Sequence, residues 1–85
     1  MKLLWDERGW EDYLSWQSEN KKTLKRINTL VKDIQRDPFK GIGKPELLTG
    51  DLSGWWSRRI DDTNRIVYRE QNGIIIIASC RGHYT

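Results

Sequence analysis

Asn72-Gly73, set between two apolar runs, constrains this chain more than any other feature. Asparagine and glycine tolerate the positive φ that a two-residue hairpin turn demands, so the pair joins two antiparallel strands. Behind it comes Ile74-Ile75-Ile76-Ile77-Ala78, apolar on both strand faces, which predicts a strand from Ile74 to Arg81 or beyond. Ahead of it, Arg65 to Glu70 reads as a strand, Asp61 to Asn64 as a turn, and Trp55 to Ile60 as a further strand. The C-terminal third of the chain is therefore a β-meander.

The N-terminal part has a different period. Lys2 to Trp5 is a short apolar strand, and Asp6 can N-cap a helix with Glu7 in its first turn. Trp10, Tyr13 and Leu14 then share one helical face. Gly9 costs such a helix about 1 kcal/mol relative to alanine, so a packing reason is expected for it. Ser18 to Asn20 breaks the pattern. In the next segment Leu24, Ile27, Val31 and Ile34 form an apolar stripe, while Lys21, Lys25, Lys32 and Arg36 line a face turned away from it. Asp37-Pro38 ends this helix, because the residue before proline avoids helical backbone. Phe39 to Gly54 is a loop-rich stretch of the kind that often carries function. The expected fold is α+β: β-α-α followed by the meander, with two N-terminal helices packed on one twisted antiparallel sheet.

Eighty-five residues make a single domain, 1–85, with a modest core. Partner binding or self-association is expected to add stability. One cysteine excludes an internal disulfide and fits a reducing compartment. No apolar run approaches the roughly 20 residues of a membrane span. The start Met1-Lys2-Leu3-Leu4-Trp5-Asp6 reaches acid too soon for a signal peptide. A cytoplasmic protein is expected. Net charge is +3, but residues 1–19 hold two basic and five acidic side chains, against thirteen and seven in residues 20–85. That asymmetry suits an anionic partner, nucleic acid or the acidic segment of a protein, although an ordinary solvated surface accounts for the counts equally well.

The residues that carry chemistry are few. His83 is the only histidine, and histidine exchanges protons near neutrality. Strict alternation puts it on one strand face with Ile75, Ile77, Ser79 and Arg81. Glu46 stands in the loop, flanked by Lys44 and by Leu47-Leu48. A loop glutamate is most often just solvated, but apolar neighbours can raise its pKa toward that of a general base. Arg65 opens one meander strand, and Arg58 and Arg59 close the strand before it. Guanidinium matches phosphate oxygens; cross-strand pairing with Asp61, Asp62 or Glu70 is the competing fate. Arg59 shares a face with Trp55 and Ser57, and Arg58 lies on the other; the cross-strand register that would bring Arg59 to Arg65 cannot be fixed from the sequence. Of Trp55 and Trp56, at most one belongs to the core. Tyr84 can stack on a base. Cys80 reads as a buried apolar residue rather than a nucleophile. With one histidine and one cysteine no His/Cys metal cluster can form, and no P-loop occurs. One base, one acid and fixed positive charge are the parts that cut a phosphodiester without a metal.

Taken together these residues resemble the YoeB toxins of bacterial toxin–antitoxin modules, in the RelE superfamily. The likeness runs from Met1-Lys2-Leu3-Leu4-Trp5 through Trp10-Glu11-Asp12-Tyr13-Leu14, Trp16-Gln17 and Asp37-Pro38-Phe39. It continues in Gly43-Lys44-Pro45-Glu46-Leu47-Leu48, Leu52-Ser53-Gly54-Trp55-Trp56-Ser57-Arg58-Arg59-Ile60, Arg65-Ile66-Val67-Tyr68 and His83-Tyr84. The resemblance implies a RelE-like fold and a ribosome-dependent mRNA endonuclease that cuts A-site codons, without a cofactor. Its implied partners are the ribosome, mRNA and a YefM-type antitoxin, with a homodimer as a further expected state. It implies Glu46 as general base, His83 as general acid and Arg65 on the scissile phosphate. Arg59 and Tyr84 line the RNA site by the same likeness, and Lys44 and Arg58 join them as expected RNA contacts. The ridge of Lys21, Lys25, Lys32 and Arg36 is expected to dock on ribosomal RNA. Two departures stand out: Thr85 follows the terminal tyrosine, and Gly82 replaces a bulkier residue. Two other readings remain open: a non-catalytic nucleic-acid module, which would need no Glu46, and a protein-interaction domain that captures an acidic tail.

Overall fold

The computed structural model describes residues 1–83. Five strands and two helices follow in the order β1 (Lys2–Trp5), α1 (Glu7–Glu19), α2 (Lys21–Arg36), β2 (Glu46–Leu47), β3 (Trp56–Arg59), β4 (Arg65–Gln71) and β5 (Ile74–Ser79), with a short 3₁₀ turn at Gly50–Leu52. The sheet order is β1-β5-β4-β3-β2. The meander pairs as expected, β3 with β4 and β4 with β5, both antiparallel. The all-antiparallel expectation needs one correction: β1 lies parallel to β5, Lys2 to Trp5 facing Ile74 to Ile77. Asp6 follows β1 directly and starts α1 at once, its N–H bonded to the Ile77 carbonyl at 2.9 Å. The architecture is therefore α+β with a five-stranded mixed sheet.

Asn20 is the corner between the helices. Its side-chain oxygen accepts from the N–H groups of Lys22 and Thr23, both at 3.1 Å, capping α2. The stripe of α2 faces the core as read, with Leu30 added to it: Ile27, Leu30 and Ile34 have no exposure, Val31 little, and Leu24 is partly buried. The face of α1 is different from the one its large side chains suggest. Trp10 and Leu14 are exposed, and the buried positions are Gly9 and Trp16. Gly9 is the point where α1 lies on the sheet; a Cβ there would sit 2.6 Å from the Ile77 carbonyl oxygen. The core joins Trp16, the α2 stripe, Ile60, Ile66, Tyr68, Ile75, Ile77 and Cys80. Trp56 packs against it, while Trp55 stays on the opposite face.

Strand β5 does not keep strict alternation. Tyr68 pairs with Ile77 but Val67 with Ser79, so Ala78 is an extra residue in a β-bulge. The bulge shifts the face by one position. Ile75 and Ile77 point into the core, Ser79 faces with Val67 to the other side, and Cys80 returns to the core. The expectation that Ile75, Ile77, Ser79, Arg81 and His83 share a face is corrected accordingly. The strand ends at Ser79 because Cys80 is claimed by α1: its N–H donates to the Asp12 carboxylate at 3.0 Å and its carbonyl accepts from the Trp16 indole at 2.9 Å. Burial, with the Asp12 charge adding to it, pushes the Cys80 thiol up to about 12, as befits an inert core residue. Among the described residues no helix is long and apolar enough to cross a membrane.

Candidate active site

The helices cover one face of the sheet, and the other, the open face, carries no helix among the described residues. Register places the open face residue by residue. Glu46, Ser57, Val67 and Ser79 form one row across β2, β3, β4 and β5. Ser57, Val67 and Ser79 are its buried floor. One step along, Arg59 stands directly opposite Arg65. The convergence that the sequence left open is thus a cross-strand pair. Like charges directly opposite are destabilising. Neither guanidinium has a carboxylate within 4 Å among the described residues, so Asp61, Asp62 and Glu70 do not neutralise the pair. Two half-buried cations at facing positions, with no counter-charge among the described residues, make a seat for an anion.

Beside that pair lies a cavity of about 420 Å³, lined by Glu46, Leu47, Leu48, Thr49, Leu52, Ser57 and Arg65. Its wall is the stretch that looked like loop. Glu46-Leu47 pairs with Ser57 and Trp56, and the Leu48 N–H donates to the Trp55 carbonyl at 2.8 Å. This short pairing fixes Glu46 on the sheet edge, exposed, above the serine floor. Lys44 precedes it, exposed and in the left-handed region with φ 53°. Arg69 continues the open face, its guanidinium 5.2 Å from the centre of the Trp55 ring.

His83 is exposed and is not a wall of the cavity. The backbone brings it to the cation pair all the same: the Arg65 N–H donates to the Gly82 carbonyl at 3.0 Å, so the chain reaches His83 alongside the start of β4. Gly82 has φ 100°, a conformation that a bulkier residue adopts only under strain. Arg81 turns the other way, over the Trp16 ring at 3.9 Å, bonded to Ser15 and Glu19. Tyr84, expected at the RNA site, lies outside the described residues, as does Thr85.

Arg58 is a correction. It has no exposure and cannot meet RNA. The loop that follows α2 folds over it, and its guanidinium is saturated: it pairs with Asp33 and donates to the carbonyls of Asp37 at 2.6 Å, Lys40 at 3.2 Å and Ile42 at 3.1 Å, and to the Tyr68 hydroxyl at 3.1 Å. Partial burial pushes the Asp33 carboxyl up, but Arg58, then Arg36 and the Ile42 N–H, outweigh it and hold Asp33 at about 2. On the ridge, Lys21, Lys25, Lys32 and Arg36 are all exposed, and Arg36 is tied to Asp33 at 2.9 Å.

Small α+β domains with this sheet and these helices include the toxin halves of toxin–antitoxin pairs. A chain of the YoeB–YefM complex from Staphylococcus aureus superposes with a TM-score of 0.90 at 44% identity, covering 99% of this chain and 98% of that one. The YoeB dimer from the same organism superposes with a TM-score of 0.91 at 42% identity and the same coverage. Toxin YoeB of Streptomyces coelicolor is 55% identical over 84 residues, 99% of this chain and all of the relative. Residues 5–84 match the family model for the YoeB-like toxin of bacterial type II toxin–antitoxin systems, and the chain belongs to that family.

Proposed function

We propose that this toxin is a ribosome-dependent endoribonuclease that cuts mRNA at A-site codons. The observation that carries the reading is the cross-strand pair Arg59–Arg65, which meets no carboxylate among the described residues and is flanked by Glu46 at the cavity and by the segment bearing the only histidine. In this reading Glu46 takes the proton of the 2′-OH, and that oxygen attacks the adjacent phosphorus. Arg65 offsets charge building on the phosphate oxygens, a preorganised contribution worth a few kcal/mol at such sites. His83 protonates the departing 5′-oxygen. The bond to the 5′-oxygen breaks, leaving a 2′,3′-cyclic phosphate and a 5′-hydroxyl. Arg59, Lys44 and Tyr84 hold the RNA on either side. General acid–base catalysis contributes about 10²–10⁴-fold per group, so positioning by the ribosome supplies much of the remainder.

The same open cationic face supports inhibition by a YefM-type antitoxin, since an acidic segment of such a partner would neutralise the two arginines. The solved relatives, one a YoeB–YefM complex and one a YoeB dimer, support both an antitoxin partner and self-association here. The test is incubation of the purified protein with programmed ribosomes and mapping of the mRNA ends. Cleavage should stop when the 2′-OH beside the scissile phosphate is replaced by 2′-deoxy, because the nucleophile is gone. Undiminished cutting of that substrate would refute the mechanism, and intact mRNA throughout would leave only a binding module.

A further inference from the structure

Asn64 is the last residue of the turn that joins β3 to β4. The structure makes it a hub. The Asp61 carboxylate accepts from the N–H groups of Thr63 at 2.8 Å and Asn64 at 2.6 Å. It also takes the Asn64 amide, 3.2 Å to each oxygen. Burial pushes the Asp61 carboxyl up, but these donors outweigh it and keep the carboxylate below its ordinary range, hence charged near neutrality. The Asn64 carbonyl accepts from Ile60 at 2.9 Å and Asp61 at 3.3 Å. With its nitrogen committed to Asp61, the Asn64 side chain turns its oxygen to the Gly82 N–H, 2.9 Å away. Gly82 is therefore held at both ends of its backbone: its N–H by Asn64, its carbonyl by the Arg65 N–H. A primary amide meets both demands at once, donating to a carboxylate and accepting from a peptide. Gly82 has no side chain with which to anchor itself, and His83 follows it directly.

We propose that Asn64 is a positioning residue: through Gly82 it sets the place of His83 relative to Arg65, which is its own neighbour in the chain. The proposal rests on the reading of His83 as the general acid. In Asn64→Ala, single-turnover cleavage at saturating ribosomes should fall about 10- to 100-fold, the scale of a small misplacement of a reacting group. Ribosome affinity should stay within about twofold, since Asn64 touches no proposed docking residue. In a His83→Gln background the same change should cost less than about twofold more, because the two substitutions damage one step. Asn64→Asp keeps an acceptor for Gly82 but faces the Asp61 charge, and its rate should fall between wild type and alanine. Equal losses in both backgrounds, or a loss in affinity alone, would overturn the proposal.

A second measurement is independent of cleavage. Hydrogen exchange at the Gly82 amide should accelerate at least about tenfold in Asn64→Ala, and the His83 ring resonances should shift toward those of a disordered peptide. Unchanged Gly82 protection and ring shifts would refute the positioning role even if activity fell. If wild type cuts no mRNA, the nuclease reading fails, while these two signals still decide whether Asn64 holds His83.

Discussion

His83→Gln is the sharpest test at the scale of a single residue. Glutamine keeps roughly the size and a donor but delivers no proton usefully near neutrality. The single-turnover rate should fall by about 10²-fold or more, with folding and ribosome binding nearly unchanged, because His83 is exposed and packs nothing in the core. A substrate with a 5′-phosphorothiolate leaving group needs little protonation. It should restore much of the His83→Gln rate and leave Glu46→Gln slow; rescue of the glutamate variant instead would reverse the two roles. Arg58 shows how adjacent, like residues part company. It and Arg59 are neighbours in one strand, so one faces the helices and one the open side. Alternation told the two faces apart in the sequence. It did not say that residues 37–42 would close over Arg58 and, with Asp33 and Tyr68, use up every donor, because that depends on where a loop lands and not on strand period.

Among the elements, α1 makes a firm prediction at its third residue. Gly9→Ala would ordinarily stabilise a helix by about 1 kcal/mol. Here the added carbon would sit 2.6 Å from the Ile77 carbonyl, and backbone cannot move aside as a flexible side chain would. Chemical denaturation should show a net loss of about 1–3 kcal/mol, the usual scale of overpacking; a gain would mean α1 does not touch β5 so closely. On α2, replacing Lys21 and Lys25 by glutamine should weaken ribosome binding and flatten its dependence on salt, with cleavage at saturation little changed. Arg36 is the poorer choice, being engaged by Asp33. Wild-type binding with an unchanged salt slope would reduce the ridge to solvated surface. The stripe of α2 and the Asn72-Gly73 hairpin were legible because their signals are local. The cation pair was legible as residues but not as a pair, since register is a property of two strands. The bulge at Ala78, the two-residue β2 and the parallel β1 were hidden for the same reason: each exists only through a partner far away in sequence. The true face of α1 was hidden because its contact point is a glycine, which no count of large apolar side chains detects.

For the molecule as a whole, the Asp33–Arg58 pair ties α2, the following loop and the sheet together, and it gives stability a defined acid edge. Asp33 is held at about 2, below its ordinary 3.8, so its charge stabilises the fold above about pH 4. That contribution should drain away as pH falls from there toward 2. Urea unfolding of wild type and Asp33→Asn should therefore show a gap that narrows across this window; a constant gap would mean the charge of Asp33 is immaterial. Arg58→Met leaves the carbonyls of Asp37, Lys40 and Ile42 without their donor while Arg36 and the Ile42 N–H still hold Asp33, and should cost about 1–3 kcal/mol near neutrality. The parallel pairing of β1 with β5 has a consequence in time. Synthesis runs from the N-terminus, so β1 and both helices emerge well before Ile74–Ser79. Until that strand arrives, β1 has no neighbour, Gly9 has nothing to lie against, and Arg65 has no Gly82 carbonyl beside it. The nascent chain therefore completes its sheet only when the last strand arrives: β1, α1 and the start of β4 all wait for one segment.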